Sequence, residues 1–239
     1  MLEDGSRSRL ILASGSPRRK ELLQRFGAPF QIRPSGSPED VRQDESPAAM
    51  AERLALDKAR WVARRIPGRA SAGETDATGL QDQDEGGDGS DPSPETLVLG
   101  ADTTIDLEGE VLGKPSDPDD ARLMLDRLRG RPHAVITGVA LVSLQGGELS
   151  SAVATTVWMR DFTSAQRDAY VETGEPMGKA GSYAIQGAGG ELVQRWQGCW
   201  NNVMGLPLCE VGRLALELTG RSLNQGPVCP QPYGSRCFY

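Results

Sequence analysis

The sequence predicts a mixed α/β protein, a sheet with helices packed on it. Apolar runs that suit strands alternate along the chain with segments whose apolar residues recur at helical spacing. Two hairpin signals, "LEGEV" from Leu107 and "LQGGEL" from Leu144, make some neighbouring strands antiparallel, which excludes a purely parallel doubly wound sheet. The 239 residues, 38% hydrophobic and 25% charged, can bury a core as one large domain or two small ones.

The elements follow in chain order. "LILA" from Leu10 is a short apolar run ending in small residues and reads as a strand over 10–13. Ser16 and Pro17 then open a helix over Pro17–Phe26, since proline is tolerated where a helical N–H has no partner. Periodic apolar positions predict a second helix over 47–65. "LVLG" and "TTIDL" predict two strands, 97–100 and 103–107. A third helix, Pro118–Leu128, precedes two long strands, 134–143 and 150–162, on either side of the second hairpin signal. Helices over 164–173 and 208–218 complete the pattern, the last stopped by Gly220.

From Pro67 to Pro94 the chain is acidic, rich in Gly, Ser and Asp, and nearly free of large apolar side chains. Such a stretch cannot bury enough surface to offset the entropy of ordering, so residues 68–94 are expected to be a disordered insertion in a surface loop. Residues 221–239, with three prolines and no periodicity, are expected to be an irregular tail, which leaves 1–220 as the domain.

A formal charge of −7 and a pI near 4.9 argue against a surface that binds nucleic acid throughout, because neutralising phosphates needs clustered Lys and Arg. Local basic clusters are then the more informative feature. No run of about 18 apolar residues could span a bilayer, and the first residues carry acids where a leader would be basic, so no membrane partner and a cytoplasmic location are expected. Cys199, Cys209, Cys229 and Cys237 form no CxxC pair and read as neither a zinc site nor a disulfide framework. His133, the only histidine, reads as structural, and without it no Ser-His-Asp or Cys-His arrangement can be built.

Three segments could carry chemistry. In "SGSPRRK" a strand turns into a helix whose free N–H groups and positive dipole end suit an anion, with Arg18 and Arg19 adding planar donors. The other reading is a Ser cap with solvated basic residues, although acids are preferred there; the loop matches neither Walker A nor GxGxxG. In "LVLGADTTIDLEGEVLGKP", Asp102 stands at a strand end, and the hairpin at Gly109 could return Lys114 to the same edge. A carboxylate for water or metal and an ammonium against phosphate charge would suit hydrolysis; a turn Asp and a surface Lys are the plainer reading. In "GKAGSYAIQGAGG", five glycines in thirteen residues imply close backbone approach, to a ligand or to another strand, around Gln186, whose amide can read a base edge. Glu39 and Asp40 form either a solvated loop or a pair able to hold Mg²⁺.

In order, "LASGSPRRKELL", "GADT", "GEVLGKP", "KAGSYAIQG" and "NNVMGLPL" resemble the Maf family of nucleotide pyrophosphatases, from Arg9 to Gly220 apart from the acidic insertion. The SPRR, GADT and IQG signatures are similar to the branch that hydrolyses dTTP and UTP, rather than the branch acting on 7-methyl-GTP. The resemblance implies an ITPase-like (Maf/Ham1) α/β fold, an elongated mixed sheet flanked by helices with a cleft between two lobes. It implies a housecleaning enzyme that hydrolyses the α–β phosphoanhydride of dTTP, UTP and modified pyrimidine nucleotides, uses Mg²⁺ or Mn²⁺, and forms a homodimer. By the same resemblance Asp102 would activate water and, with Glu39, contact the metal. Arg18, Thr103 and Gln186 would select the base, Arg19, Lys58 and Lys114 would contact phosphates, and Ser14 and Ser16 would supply loop donors.

Two features depart from the family pattern. Gly178 stands in "PMGKAGSY" where relatives commonly carry an acid, and the acidic insertion, expected to point away from the cleft, precedes GADT. Gly178 favours an alternative, a catalytically weak nucleotide-binding regulator of septum formation. A generic phosphatase of small phosphate esters is the third reading.

Overall fold

The computed structural model describes residues 9–42, 44–66 and 95–223. The expectations for 68–94, and for the tail beyond Leu223, fall outside these residues.

Seven strands form one mixed sheet: β1 (Arg9–Leu12), β2 (Phe30–Ile32), β3 (Thr96–Leu107), β4 (Glu110–Leu112), β5 (Pro132–Ser143), β6 (Glu148–Met159) and β7 (Val193–Gln197). The order is β2-β1-β3-β5-β6-β7, with β4 paired to β3. β1 runs parallel to β2 and β3, and the other pairings are antiparallel. Both hairpin signals are realised, with Glu108 and Gly109 turning at φ 56° and 90° and Gly146 and Gly147 at φ 123° and 89°.

The helices are α1 (Pro17–Phe26), α2 (Pro47–Ala63), α3 (Pro118–Leu128), α4 (Ser164–Glu172), α5 (Trp200–Val203) and α6 (Leu208–Thr219). Ser46 and Asp117 cap α2 and α3 by accepting from the N–H groups of Ala49 and Asp120, and Thr163 with Gln166 forms a capping box on α4. Gly220 ends α6 in the left-handed region at φ 68°.

Successive side chains of a strand point to opposite faces, and both faces of this sheet are covered. Leu10, Leu12, Leu97, Leu99, Val139 and Leu141 join the larger core with Leu22, Leu23 and Phe26 of α1, Leu125 of α3 and Leu214 of α6. The alternate residues Ile11, Ala13, Val98, Ala140 and Val142 pack against Ala55, Ala59 and Val62 of α2. That second layer is thin because α2 lies directly on the strands. A Cβ on Gly100 would stand 2.0 Å from the Ala55 carbonyl oxygen, and one on Gly138 2.1 Å from that of Ala51. Only glycine fits beneath the helix at either place.

The candidates 97–100 and 103–107 are therefore one strand. Gly100 breaks the apolar pattern because a helix backbone needs its space, not because the strand stops. β6 ends at Met159, short of 162: its register with β7 shifts at Trp158 and Met159, and Arg160 N–H donates to the Leu192 carbonyl. Phe162 stays in the core beyond the strand. The sequence pattern does not announce β2, β7 or α5, whose three, five and four residues are too few to display a period.

Because the atoms obstructing it are backbone, a Gly138→Ala side chain has nowhere to go, and the substitution should lower stability by roughly 3 kcal/mol. Gly113→Ala, where a Cβ meets nothing within 4 Å, should stay within about 0.5 kcal/mol of wild type. Urea unfolding of the two variants checks both values.

Candidate active site

β3 carries the site because its outer edge changes partners. β1 pairs with residues 96–99 and β4 with residues 105–107, so between Leu99 and Ile105 this edge has no strand partner among the described residues. The sheet splits open there into a cleft of about 540 Å³. Strand alternation then sends two adjacent side chains to different walls. Asp102, in step with Val98 and Gly100, meets α2, while Thr103, in step with Leu99 and Ala101, meets α1.

All ten residues picked out in the sequence, Ser14, Ser16, Arg18, Arg19, Glu39, Lys58, Asp102, Thr103, Lys114 and Gln186, line this one cleft. Lys179, which the sequence reading passed over, makes a fifth lining cation beside Arg18, Arg19, Lys58 and Lys114, against two carboxylates, Glu39 and Asp102. A chain of net charge −7 has thus gathered positive charge in this cleft.

Lys58 organises the acidic pair. From a buried position on α2 its Nζ lies 2.6 Å from Asp102 Oδ1 and 2.6 Å from Glu39 Oε1, and Lys114 Nζ lies 3.6 Å from Glu39 Oε2. One ammonium bridges two carboxylates that would otherwise repel. Burial acts to raise the Glu39 carboxyl, but the hydrogen bonds and charges of Lys58 and Lys114 more than offset it and hold its pKa below the ordinary value. Two carboxylates beside a phosphate chain are a common setting for Mg²⁺, so Glu39 and Asp102 fit part of a divalent cation's shell. Among the described residues no group of three or more His, Cys, Asp or Glu could hold a metal unaided.

The opening of α1 forms the opposite wall. Its first turn has no acidic residue, and the Ser16 side chain makes no capping bond, so the Ser-cap reading is not realised. Ser14 Oγ instead accepts from the Ser16 N–H and from Arg19 Nη1, both at 3.3 Å. Arg19 Nε donates to the Gly205 carbonyl at 2.8 Å and Nη2 to Thr103 Oγ1 at 3.0 Å. The polarity of the next bonds is fixed. Thr137 spends its hydrogen on the Asn202 carbonyl at 3.0 Å, so Thr103 must donate across the 3.0 Å contact between the two hydroxyls. With that hydrogen spent, Thr103 can only accept from a ligand.

The glycine-rich third wall closes on protein. A Cβ on Gly181 would lie 2.6 Å from Ile105 Cδ1, one on Gly187 2.0 Å from Glu175 Oε1, one on Gly189 2.6 Å from Tyr170 Oη and one on Gly190 2.4 Å from the Ile185 carbonyl. Gly178 differs: its φ is 73° and a Cβ would meet nothing within 4 Å. The sequence reading also missed Tyr170 and Glu175. The density of glycine was the available signal, since backbone held that close needs something to close against. His133 is structural, as expected. It is buried, its Nε2 lies 2.8 Å from Tyr183 Oη, the two rings meet edge-on at 5.5 Å, and burial pushes its pKa down to about 4.

The sequence profile of the family described as Maf-like protein matches residues 9–218. A protein of Moorella thermoacetica named dTTP/UTP pyrophosphatase is 48% identical over 208 residues, covering 87% of this chain and 93% of that one. Proteins of the same name from Anaeromyxobacter dehalogenans and Hahella chejuensis are 43% and 40% identical, covering 86% and 88% of this chain and 92% of each of theirs. A crystal structure of a nucleoside-triphosphatase/dITP/XTP pyrophosphatase from Mycobacterium abscessus overlaps loosely, with a TM-score of 0.35 and 18% identity over 64% of this chain and 75% of that one.

The depressed His133 gives a stability signature. Its pKa is about 4 when folded and 6.5 in the unfolded chain; between those values the unfolded state binds more protons, so stability rises with pH. The contribution is whole above about pH 6.5 and falls by roughly 3 kcal/mol as the pH drops to about 4. Urea melts across this range should show the slope in wild type and a shallower one in His133→Gln.

Proposed function

The chain belongs to the Maf-like protein family, and on that premise we propose that it is a nucleoside triphosphate pyrophosphatase, cleaving the α–β phosphoanhydride of dTTP and UTP to the monophosphate and pyrophosphate. The observation that carries this reading is the composition of the cleft: five cations, three of them on α1 and α2, around two carboxylates that share one lysine. Hydrolysis of a triphosphate asks for that balance, because developing charge must be met by preorganised cations and little covalent chemistry is needed from the protein.

In this reading Asp102 takes the proton of the attacking water, the water oxygen bonds to phosphorus, and the bridging oxygen leaves with pyrophosphate. Lys58 fixes Asp102 in place through its 2.6 Å contact. Arg19, Lys58 and Lys114 offset phosphate charge, and Ser14 and Ser16 add donors at the start of α1. A divalent cation, Mg²⁺ or Mn²⁺, would be held by Asp102 and Glu39 and would supply further neutralisation of the phosphates. The base is chosen by Arg18, Gln186 and Thr103. Thymine and uracil both present an N3–H donor, which suits a Thr103 hydroxyl left only to accept; cytosine presents an acceptor there and is refused. A homodimer, implied by the resemblance, and a cytoplasmic location, expected from the sequence, belong to the same proposal.

The reading as a weakly catalytic regulator is not favoured. Glycine at 178 has a backbone reason of its own, a φ in the left-handed region, and needs no lost acid to account for it. Asp102→Asn should lower kcat on dTTP by about a thousandfold while dTTP still binds. Wild-type turnover by this variant, measured beside binding by calorimetry, would contradict the role given to Asp102.

A further inference from the structure

Ile185 and Gln186 line the cleft from a turn that belongs to no helix or strand. Two side chains outside the cleft lining hold that turn. Tyr170 Oη, on α4, accepts from the Ala184 N–H at 3.1 Å and stands close enough to the Glu175 carboxylate for the two groups to influence each other electrostatically. That carboxylate accepts from the Ala188 N–H at 3.3 Å through Oε1 and from the Gly189 N–H at 3.0 Å through Oε2. One end of the turn is thereby held by Tyr170 and the other by Glu175, two neighbouring polar groups.

Other features agree with a built clasp. Gly187 and Gly189 are the residues that let the backbone reach Glu175 and Tyr170 so closely. Burial acts to raise the Glu175 carboxyl, yet the Gly189 N–H, the Tyr170 hydroxyl, the Ala188 N–H and the charge of Lys179 hold its pKa below the ordinary value. Lys179 Nζ also donates to the Glu175 carbonyl. Arg18, across the same group, lies within the electrostatic reach of both Tyr170 and Glu175.

We propose that Tyr170 and Glu175 are positioning residues for nucleotide selection: together they clasp the turn of residues 184–189 and set where Gln186 and Arg18 meet the base. This rests on the pyrophosphatase reading above. Neither side chain lines the cleft, so their loss acts through the turn. Contacts to the base weaken while the chemistry at Asp102 is left alone, which separates KM from kcat.

Tyr170→Phe keeps the ring and removes the hydroxyl, and Glu175→Gln keeps the shape but turns one acceptor into an amide facing a backbone N–H. The test measures kcat and KM of both variants and of the double variant on dTTP, UTP and CTP, with amide hydrogen exchange at Ala188 and Gly189. The KM for dTTP and UTP should rise about tenfold with kcat within about twofold, and the preference over CTP should shrink. Exchange at the two amides should quicken, and the double variant should lose little more than Glu175→Gln, because both residues act on the same turn. Unchanged KM and preference, or equal losses on all three nucleotides with unchanged exchange, overturn the proposal. If wild-type protein hydrolyses none of the three, the activity reading fails instead, and the exchange data decide the clasp by themselves.

Discussion

The distance between α2 and the sheet sets the site. Gly100 and Gly138 let the helix backbone rest on β3 and β5, with room for no side chain between. Only from that seat does Lys58 deliver its ammonium to Asp102 and Glu39 at 2.6 Å each. Raising the helix by the thickness of a methyl group would leave two carboxylates facing each other across the cleft. The interaction contributes position more than stability, since bringing a lysine and two acids partly out of water costs much of what their attraction returns. The mixture of small residues on this face, Ala13, Ala55, Ala59 and Ala140, follows from the same constraint.

The rest of the cleft grows from β3 along the same logic. A single strand that trades one edge partner for another opens a gap without ending the sheet, because β5 pairs with it from Leu97 to Asp106 on the other side. Rigidity and access therefore coexist at residues 100–104. Alternation along the strand then gives the two walls different chemistry: Asp102 goes to the lysine on α2, and Thr103 goes to the arginine on α1. On the Thr103 side, buried hydrogen bonds run through Thr137 to Asn202, whose Nδ2 donates to the Val135 carbonyl and to Thr155 Oγ1, both at 2.9 Å. Burial acts to lower the Arg19 pKa, opposed by the charge of Asp102, and an arginine so placed remains a fixed cation.

How much of this was legible in the sequence varied with the range of the interactions. Pro17–Phe26 and Pro118–Leu128 were read to the residue, because local signals mark the ends of those helices. The strand through GADT was read as two, since its interruption is caused by a helix some forty residues away in the chain. Spacing alone left Asp102, Lys114 and the SPRR loop divided between a functional and a plainer reading; a split between β1 and β4 is a tertiary event that no local pattern encodes. Resemblance, not periodicity, gathered the ten cleft residues. Tyr170 and Glu175 stayed hidden because a lone tyrosine and a lone acid have no pattern, and only the glycines opposite them hinted that something had to fill the space.

Every element of this cleft bears on one reaction, the cleavage of a nucleoside triphosphate between the α and β phosphates. Incubating the full chain with dTTP, UTP and CTP in Mg²⁺ or Mn²⁺, and assaying pyrophosphate and orthophosphate in the same samples, tests it directly. Pyrophosphate and the nucleoside monophosphate are expected from dTTP and UTP, with little turnover of CTP. Orthophosphate as the product, or turnover indifferent to the base, would contradict it.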